Sequence, residues 1–238
     1  MLHRFARTEL LIGKEGVAKL ENSTVAIFGV GGVGSYVVEA LARAGIGKLV
    51  IIDHDTVSLT NINRQLPALE STIGQSKVAV MKQRILEINP DCQVEAIQQF
   101  YDKEQRETLI RLDYTYIVDA IDSITAKIDL IVTAMEKNIP IVSSMGAGNK
   151  LDPTQFKLTD ISKTHTCPMA KTVRKLLRQQ GISKGLQVVF STEVPLTPLE
   201  PYAEEAGIRR QLPGSVSFVP SVAGLFLASG VVNDILGH

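Results

Sequence analysis

Cysteine is nearly absent from this sequence. Cys92 and Cys167 are the only two in 238 residues, and no Cys-x-x-Cys pair occurs. That excludes a disulfide framework and a four-cysteine zinc centre as main supports of the fold, so no zinc is expected. The usage suits a reducing cytosol, and a cytoplasmic location is the expectation. Net charge is absent too, because Lys+Arg and Asp+Glu each number 25. Whole-molecule electrostatics therefore neither favour nor exclude a polyanion, and any nucleic-acid site must be a local patch. The N-terminal MLHRFARTELLIG is basic but lacks a continuous apolar stretch, so no signal peptide is expected. The long apolar segment 216–232 contains Pro220 and three serines and runs into Asn233 and Asp234. A spanning helix needs ~20 apolar residues. A buried C-terminal helix starting near Pro220 is the expectation, with weak membrane association left open.

What is present is ordinary in bulk and specific in pattern. Apolar residues make up 45% and charged residues 21%, a soluble globular composition, and the length fits one large domain or a domain plus a lid. Through residue 150 apolar strands alternate with amphipathic helices. TVAIFGV (24–30), KLVIID (48–53), QVEAI (93–97), TYIVDAID (115–122) and IPIVSSM (139–145) are the strands. Helices are predicted over 35–45, closed by Gly45, over 75–89, stopped by Pro90, and over 124–138. This alternation implies an α/β fold with a Rossmann-like, doubly wound, mainly parallel sheet and ligands at the strand C-termini. After Gly148 come two short strands, 156–161 and 186–192, with a basic helix between them, suited to antiparallel additions at a sheet edge. Residues 193–214 carry Pro195, Pro198, Pro201 and Pro213 with Glu204, Glu205, Arg209 and Arg210, the composition of a mobile lid or crossover.

GVGGVGS (29–35) is the strongest motif. Gly29, Gly31 and Gly34 form GxGxxG between a strand and a helix, with Gly32 inside the same loop. Glycines there allow a tight turn and close approach of backbone N–H groups to phosphate oxygens. Asp53 ends the next strand, where a carboxylate accepts hydrogen bonds from ribose hydroxyls, with Asp55 close behind. A plain dinucleotide oxidoreductase leaves the following LTNINRQ unexplained. Arg64 offers a planar fork of donors for phosphate, and Asn61 and Asn63 offer amides beside it. Lys77 in GQSK begins a helix, where a cation is electrostatically unfavourable unless it balances another charge. Asp122 in DAIDS lies past the fourth strand, where it is either an Mg²⁺ ligand or the N-cap of the next helix. Together these residues describe a nucleoside triphosphate with Mg²⁺, which suits nucleotidyl transfer in which a substrate carboxylate attacks the α-phosphorus.

In order and spacing, GVGGVGS, IIDHDTVSLTNINRQ, GQSK and DAIDS resemble the signatures of the E1-like (ThiF/MoeB/HesA) superfamily over roughly residues 4–150. The resemblance implies that Gly31 and its neighbours line ATP and that Asp53 takes the ribose. It also implies that Asn61, Arg64 and Lys77 act on the phosphates with Asn63 and Gln65 beside them, and that Asp122 helps hold Mg²⁺. An N-terminal arginine acts in the partner protomer's site; Arg7 is the nearest match, with Arg4 in reserve, which implies a homodimer. The superfamily's zinc-binding Cys-x-x-Cys pairs and a catalytic cysteine are missing. DPTQFKLTDISKT (152–164), LQVVFSTE (186–193) and PGSVSFVPSVAG (213–224) instead resemble the tRNA threonylcarbamoyladenosine dehydratase branch. The chain is then expected to be one adenylation domain over 1–238. It divides into an N-terminal arm (1–23), a nucleotide core (24–150), edge strands with a basic helix and mobile loop (151–214) and a C-terminal helix (215–238). The implied activity is ATP-dependent adenylation of the modified adenosine's carboxylate beside the anticodon, followed by cyclisation and AMP release. The resemblance leaves open a monovalent cation near the site and a cysteine-desulfurase or sulfur-acceptor partner.

A local basic patch accompanies that expectation. From Ile161 to Thr192 there is no acid, while Lys163, Lys171, Arg174, Lys175, Arg178 and Lys184 fall in the same window. Such a patch gives salt-dependent RNA affinity; a solvated helix face is the plain alternative. Cys167, before Pro168 and among cations, is either a covalent sulfur site or an incidental small residue. The competing function is an E1-like adenylyltransferase for the C-terminus of a ubiquitin-like sulfur-carrier protein.

Overall fold

The computed structural model describes residues 3–199 and 213–238. Pro201, Glu204, Glu205, Arg209 and Arg210 of the expected lid lie outside the described residues.

Seven strands form one sheet in the order β3-β2-β1-β4-β5-β7-β6. They are β1 (Thr24–Phe28), β2 (Lys48–Ile52), β3 (Gln93–Ile97), β4 (Tyr116–Asp119), β5 (Ile141–Ser144), β6 (Phe156–Asp160) and β7 (Gln187–Ser191). β1 to β5 pair in parallel, and β7 continues that sense on β5. β6 alone reverses, running antiparallel to β7 at the outer edge. The edge pair expected from the second half therefore mixes one parallel and one antiparallel addition. β1, β2, β4 and β5 are buried along almost their whole length, as their unbroken apolar runs require of strands covered on both faces.

The helices are α1 (Ala6–Glu21), α2 (Gly34–Ala44), α3 (Lys77–Ile88), α4 (Arg106–Leu109), α5 (Ile124–Glu136), α6 (Pro168–Gln179) and α7 (Phe218–Leu236). The N-terminal arm is thus mostly helix, broken at Gly13, whose φ of 71° is outside the helical range. α2 ends at Gly45 with φ 94°, the left-handed cap its sequence predicts. One core joins Val37, Leu41, Met81 and Ile85 to Val219, Ala223 and Leu227 of α7. The opposite face joins Leu130, Ile131 and Ala134 of α5 to Val173 and Leu177 of α6. α7 has the length and mean hydropathy, 1.6, of a membrane span. However, its Val219, Ala223, Gly224, Leu227 and Val231 stripe is buried in the first core. A Cβ on Gly224 would come within 2.4 Å of the Val33 carbonyl, so the helix crosses the start of α2 backbone to backbone. This is the arrangement of a core helix, and it brings Pro220 to the rim where β1, β2 and β4 end.

Candidate functional site

The site begins at the turn from β1 to α2. A Cβ on Gly34 would stand 1.8 Å from the Gly29 carbonyl, so no side chain fits where the helix leaves the strand. The N–H groups of Gly31, Gly32 and Val33 have no acceptor among the described residues, whereas the N–H of Val30 donates to Asp53 Oδ2 at 2.6 Å. Three unspent amides at a helix N-terminus make an anion-binding nest. Asp53 also accepts from the Asp55 N–H through Oδ1 at 2.8 Å. Its carboxylate therefore ties the glycine loop to the end of β2 and keeps further lone pairs for a ligand.

A cavity of about 390 Å³ opens on this rim, within the size range of small-molecule sites. Gly29, Gly31, Gly32, Asp53, Asp55, Asn61, Arg64, Gln65, Lys77 and Asp122 all line it. Of the predicted nucleotide residues, Gly34 and Asn63 are not in the wall. Gly34 serves the helix–strand contact just described. Asn63 donates from Nδ2 to the Ser215 carbonyl at 2.9 Å and accepts from Arg64 Nη1 at 2.8 Å, so it holds Arg64 from behind.

Arg64 Nη1 also donates to the Thr60 carbonyl at 2.8 Å. No carboxylate neutralises its guanidinium among the described residues, and burial lowers its pKa from the ordinary arginine value. Arginine stays cationic in proteins, so an oriented positive charge faces the cavity. Lys77 is buried, with Nζ 2.7 Å from Asp55 Oδ2. Its unfavourable place at the start of α3 is thus compensated inside the protein by Asp55. Asn61 caps its own turn, its Oδ1 accepting from the Ser58 N–H at 3.1 Å. Gln65 is buried, and its Oε1 has no partner among the described residues. An orphaned buried acceptor costs about 1–3 kcal/mol, so a ligand donor at this wall would be rewarded.

Asp122 is exposed, without a hydrogen-bond partner among the described residues. The N-cap position of α5 is held by Ser123 instead. Beneath this loop lies a network that sequence patterning does not show. Asp119 and Lys127 are both fully buried, with Nζ to Oδ2 at 2.6 Å. Ser143 Oγ donates to the same oxygen at 2.5 Å, and Lys127 also donates to the Ser144 carbonyl at 3.0 Å. Asp119 Oδ1 accepts from the Ile121 N–H at 3.1 Å, fixing the segment that carries Asp122. The sequence signal is a lysine inside the apolar run ITAKIDLIV, eight residues after a strand-end acid. Gln99, Phe100 and Tyr101, just beyond β3, also line the cavity, and no sequence motif marks them. Phe100 meets His54 edge to face at 4.8 Å.

The remaining predicted residues lie elsewhere. Arg7 is exposed on α1 and makes no ion pair among the described residues, while Arg4 bonds its own Ile88 carbonyl at 3.2 Å. Lys163, Lys171, Lys175, Arg178 and Lys184 are exposed and likewise without ion pairs among the described residues. Lys171, Lys175 and Arg178 share one face of α6, being spaced by one and two turns. Arg174 differs from them. It is half-buried, with Nη1 on the Thr164 carbonyl at 2.5 Å and on the Thr164 hydroxyl, so it fastens the loop before α6. Cys167 is buried at the N-terminus of α6. Cys92 is buried as well, and burial pushes its thiol up to about 11.

Residues 5–238 match the model of the ThiF family. The chain is 52% identical to the tRNA threonylcarbamoyladenosine dehydratase of Bacillus subtilis over 99% of its own length and 96% of the relative's. Over 62% of its length it is 34% identical to the sulfur carrier protein ThiS adenylyltransferase of Escherichia coli. In three dimensions it is similar to the E. coli tRNA N6-threonylcarbamoyladenosine dehydratase TcdA solved in complex with ATP. The TM-score is 0.89 at 34% identity, covering 98% of this chain and 93% of that one.

Proposed function

The chain belongs to the ThiF family, and from that premise we propose that it is an ATP-dependent dehydratase of threonylcarbamoyladenosine in tRNA. The observation that carries this reading is the convergence of Asp53, Arg64, Lys77 and three free amides on one cavity. It occurs in a chain whose likeness to dehydratases runs nearly its full length. Likeness to the sulfur-carrier adenylyltransferase covers a smaller share.

Asp53 receives the ribose hydroxyls, and the Gly31–Val33 amides and Arg64 receive phosphate oxygens. Lys77 exchanges part of its Asp55 contact for the triphosphate, which offers more negative charge at the same wall. The exposed, unpartnered Asp122 carboxylate has the chemistry to hold an Mg²⁺ carried by the triphosphate, which would neutralise charge on the departing pyrophosphate. The substrate carboxylate oxygen attacks the α-phosphorus and the bond to pyrophosphate breaks. The carbamoyl nitrogen then attacks the acyl carbon, its proton is lost to the medium, and the bond to AMP breaks. Intramolecular attack needs no enzyme nucleophile, because proximity supplies the rate.

The protein is expected to release AMP when given ATP, Mg²⁺ and tRNA bearing threonylcarbamoyladenosine. AMP release with a sulfur-carrier protein and not with tRNA would assign it to the adenylyltransferases instead. The dimer follows from the same reading. Arg7 is exposed on α1 beside Leu10 and Leu11, which are 85% and 88% exposed, and a second protomer would cover these leucines and receive the arginine.

The exposed face of α6 supplies the tRNA contact. Because Arg174 is spent on Thr164, the informative charge reversals are Lys175→Glu and Arg178→Glu. Together they should weaken tRNA binding by about tenfold or more at moderate salt, flatten its salt dependence and leave ATP affinity unchanged. Filter binding across a salt series measures this, and an unaltered slope would remove the helix from the interface.

A further inference from the structure

A second cavity of about 340 Å³ adjoins the nucleotide cavity. The two share a common wall that includes Val33, Ala120, Ile121, Asp122, Ala147 and Gly148. Beyond that wall the lining is largely apolar, including Met145, Met169 and Pro195, with Cys167 and Asn149. Among the described lining residues Lys150 is the one cation.

Lys150 is buried at 3% exposure, an unusual place for lysine. Its Nζ donates to the backbone carbonyl of Glu193 at 2.6 Å. The Glu193 carboxylate is spent elsewhere, accepting from the Leu151 and Asp152 N–H groups at 2.9 and 3.1 Å. No carboxylate therefore pairs with Lys150 among the described residues. Two of the three ammonium donors have no partner among the described residues, and Lys150 lines a cavity whose other surfaces are mostly apolar. A buried cation in this state is costly unless an anion completes it. Burial accordingly lowers the Lys150 pKa from the ordinary lysine value. Unlike Lys77, it has no carboxylate partner among the described residues.

We infer that the second cavity receives the threonylcarbamoyl group and that Lys150 binds the substrate carboxylate there, selecting an acid for adenylation at the shared wall. The cavity is too small and too apolar for a polynucleotide phosphate track, but it suits one short side chain bearing a single anion. The inference rests on the dehydratase reading and adds to it a residue that decides which chemical group is presented.

The test uses the full-length protein with modified tRNA, and with N6-threonylcarbamoyladenosine nucleoside and its methyl ester as competing probes. Lys150→Met should raise KM for the modified tRNA by about tenfold or more while leaving the Kd for ATP unchanged. Wild-type protein should bind the nucleoside acid better than the ester, and Lys150→Met should lose that preference, which a purely structural lysine would not change. Lys150→Gln, which keeps a donor for the Glu193 carbonyl, serves if the methionine variant misfolds. Full acid preference in either folded variant overturns the inference, as does misfolding of both, which would make Lys150 structural. If wild-type protein releases no AMP with modified tRNA, it is the dehydratase reading that fails.

Discussion

Arg64→Ala abolishes AMP formation, lowering it by about 10³-fold or more, while the protein still folds. The two halves of this expectation come from different contacts. Catalysis depends on a guanidinium that faces the cavity with no carboxylate to neutralise it, held in place by the Thr60 carbonyl and Asn63 Oδ1. That is a preorganised positive charge, already oriented before phosphate arrives, and such groups act on charge that develops in the transition state. Stability depends on much less, because both partners belong to the same exposed turn; losing these bonds should cost about 1 kcal/mol. Arg64→Lys should recover little activity, since a lysine cannot span two phosphate oxygens with a planar fork. Single-turnover AMP release on modified tRNA measures the first claim, and thermal melting measures the second. Activity of Arg64→Ala within about tenfold of wild type would remove Arg64 from the phosphate site. Asn63→Ala should show a smaller loss in the same direction, since it orients the arginine without lining the cavity.

The contrast between Arg64 and Asn63 shows what the sequence could disclose. β-branched runs such as TVAIF and KLVII are buried on both faces, so period and composition place β1 and β2 to within two residues. Glycine spacing and the acid at the end of β2 likewise mark the rim, because backbone clearance there permits no other residue at Gly34. Direction of a side chain is another matter. Asn61, Asn63, Arg64 and Gln65 are neighbours in sequence, yet a tight turn sends three of them to the cavity and one to Ser215. Arg174 and Lys175 are adjacent cations on α6, and only the loop before the helix decides that one is spent on Thr164. Long-range pairings are the least legible. Lys150 with Glu193, and Asn63 with Ser215, depend on how the second half folds back over the sheet. The short α4 has no amphipathic period to announce it, being a single turn held by Leu109. β7 could not be assigned parallel from its own residues, since pairing sense follows from the crossover and not from strand composition.

The second large effect is on stability. Lys127→Met should destabilise the protein by about 3–5 kcal/mol, because it strands the fully buried Asp119 carboxylate without its cation. Ser143 and the Ile121 N–H would remain as donors, and neither carries a charge. For a chain of this size the loss corresponds to a fall in Tm of roughly 10 °C. Removing both partners should behave differently. In Lys127→Met with Asp119→Leu, apolar groups of similar volume replace the pair, and most of the stability should return. Activity should not return with it. Asp119 Oδ1 also holds the Ile121 N–H, so its loss frees the segment that carries Asp122 at the junction of the two cavities. The double variant therefore separates two roles of one buried pair: balancing its own charge, which leucine and methionine make unnecessary, and positioning the loop, which they cannot do. Differential scanning fluorimetry and AMP-release kinetics on the same three proteins measure both. A double variant with wild-type activity would show that the Asp122 segment is held by its other contacts. A single Lys127→Met variant as stable as wild type would mean that Asp119 takes a proton or finds another donor inside the core.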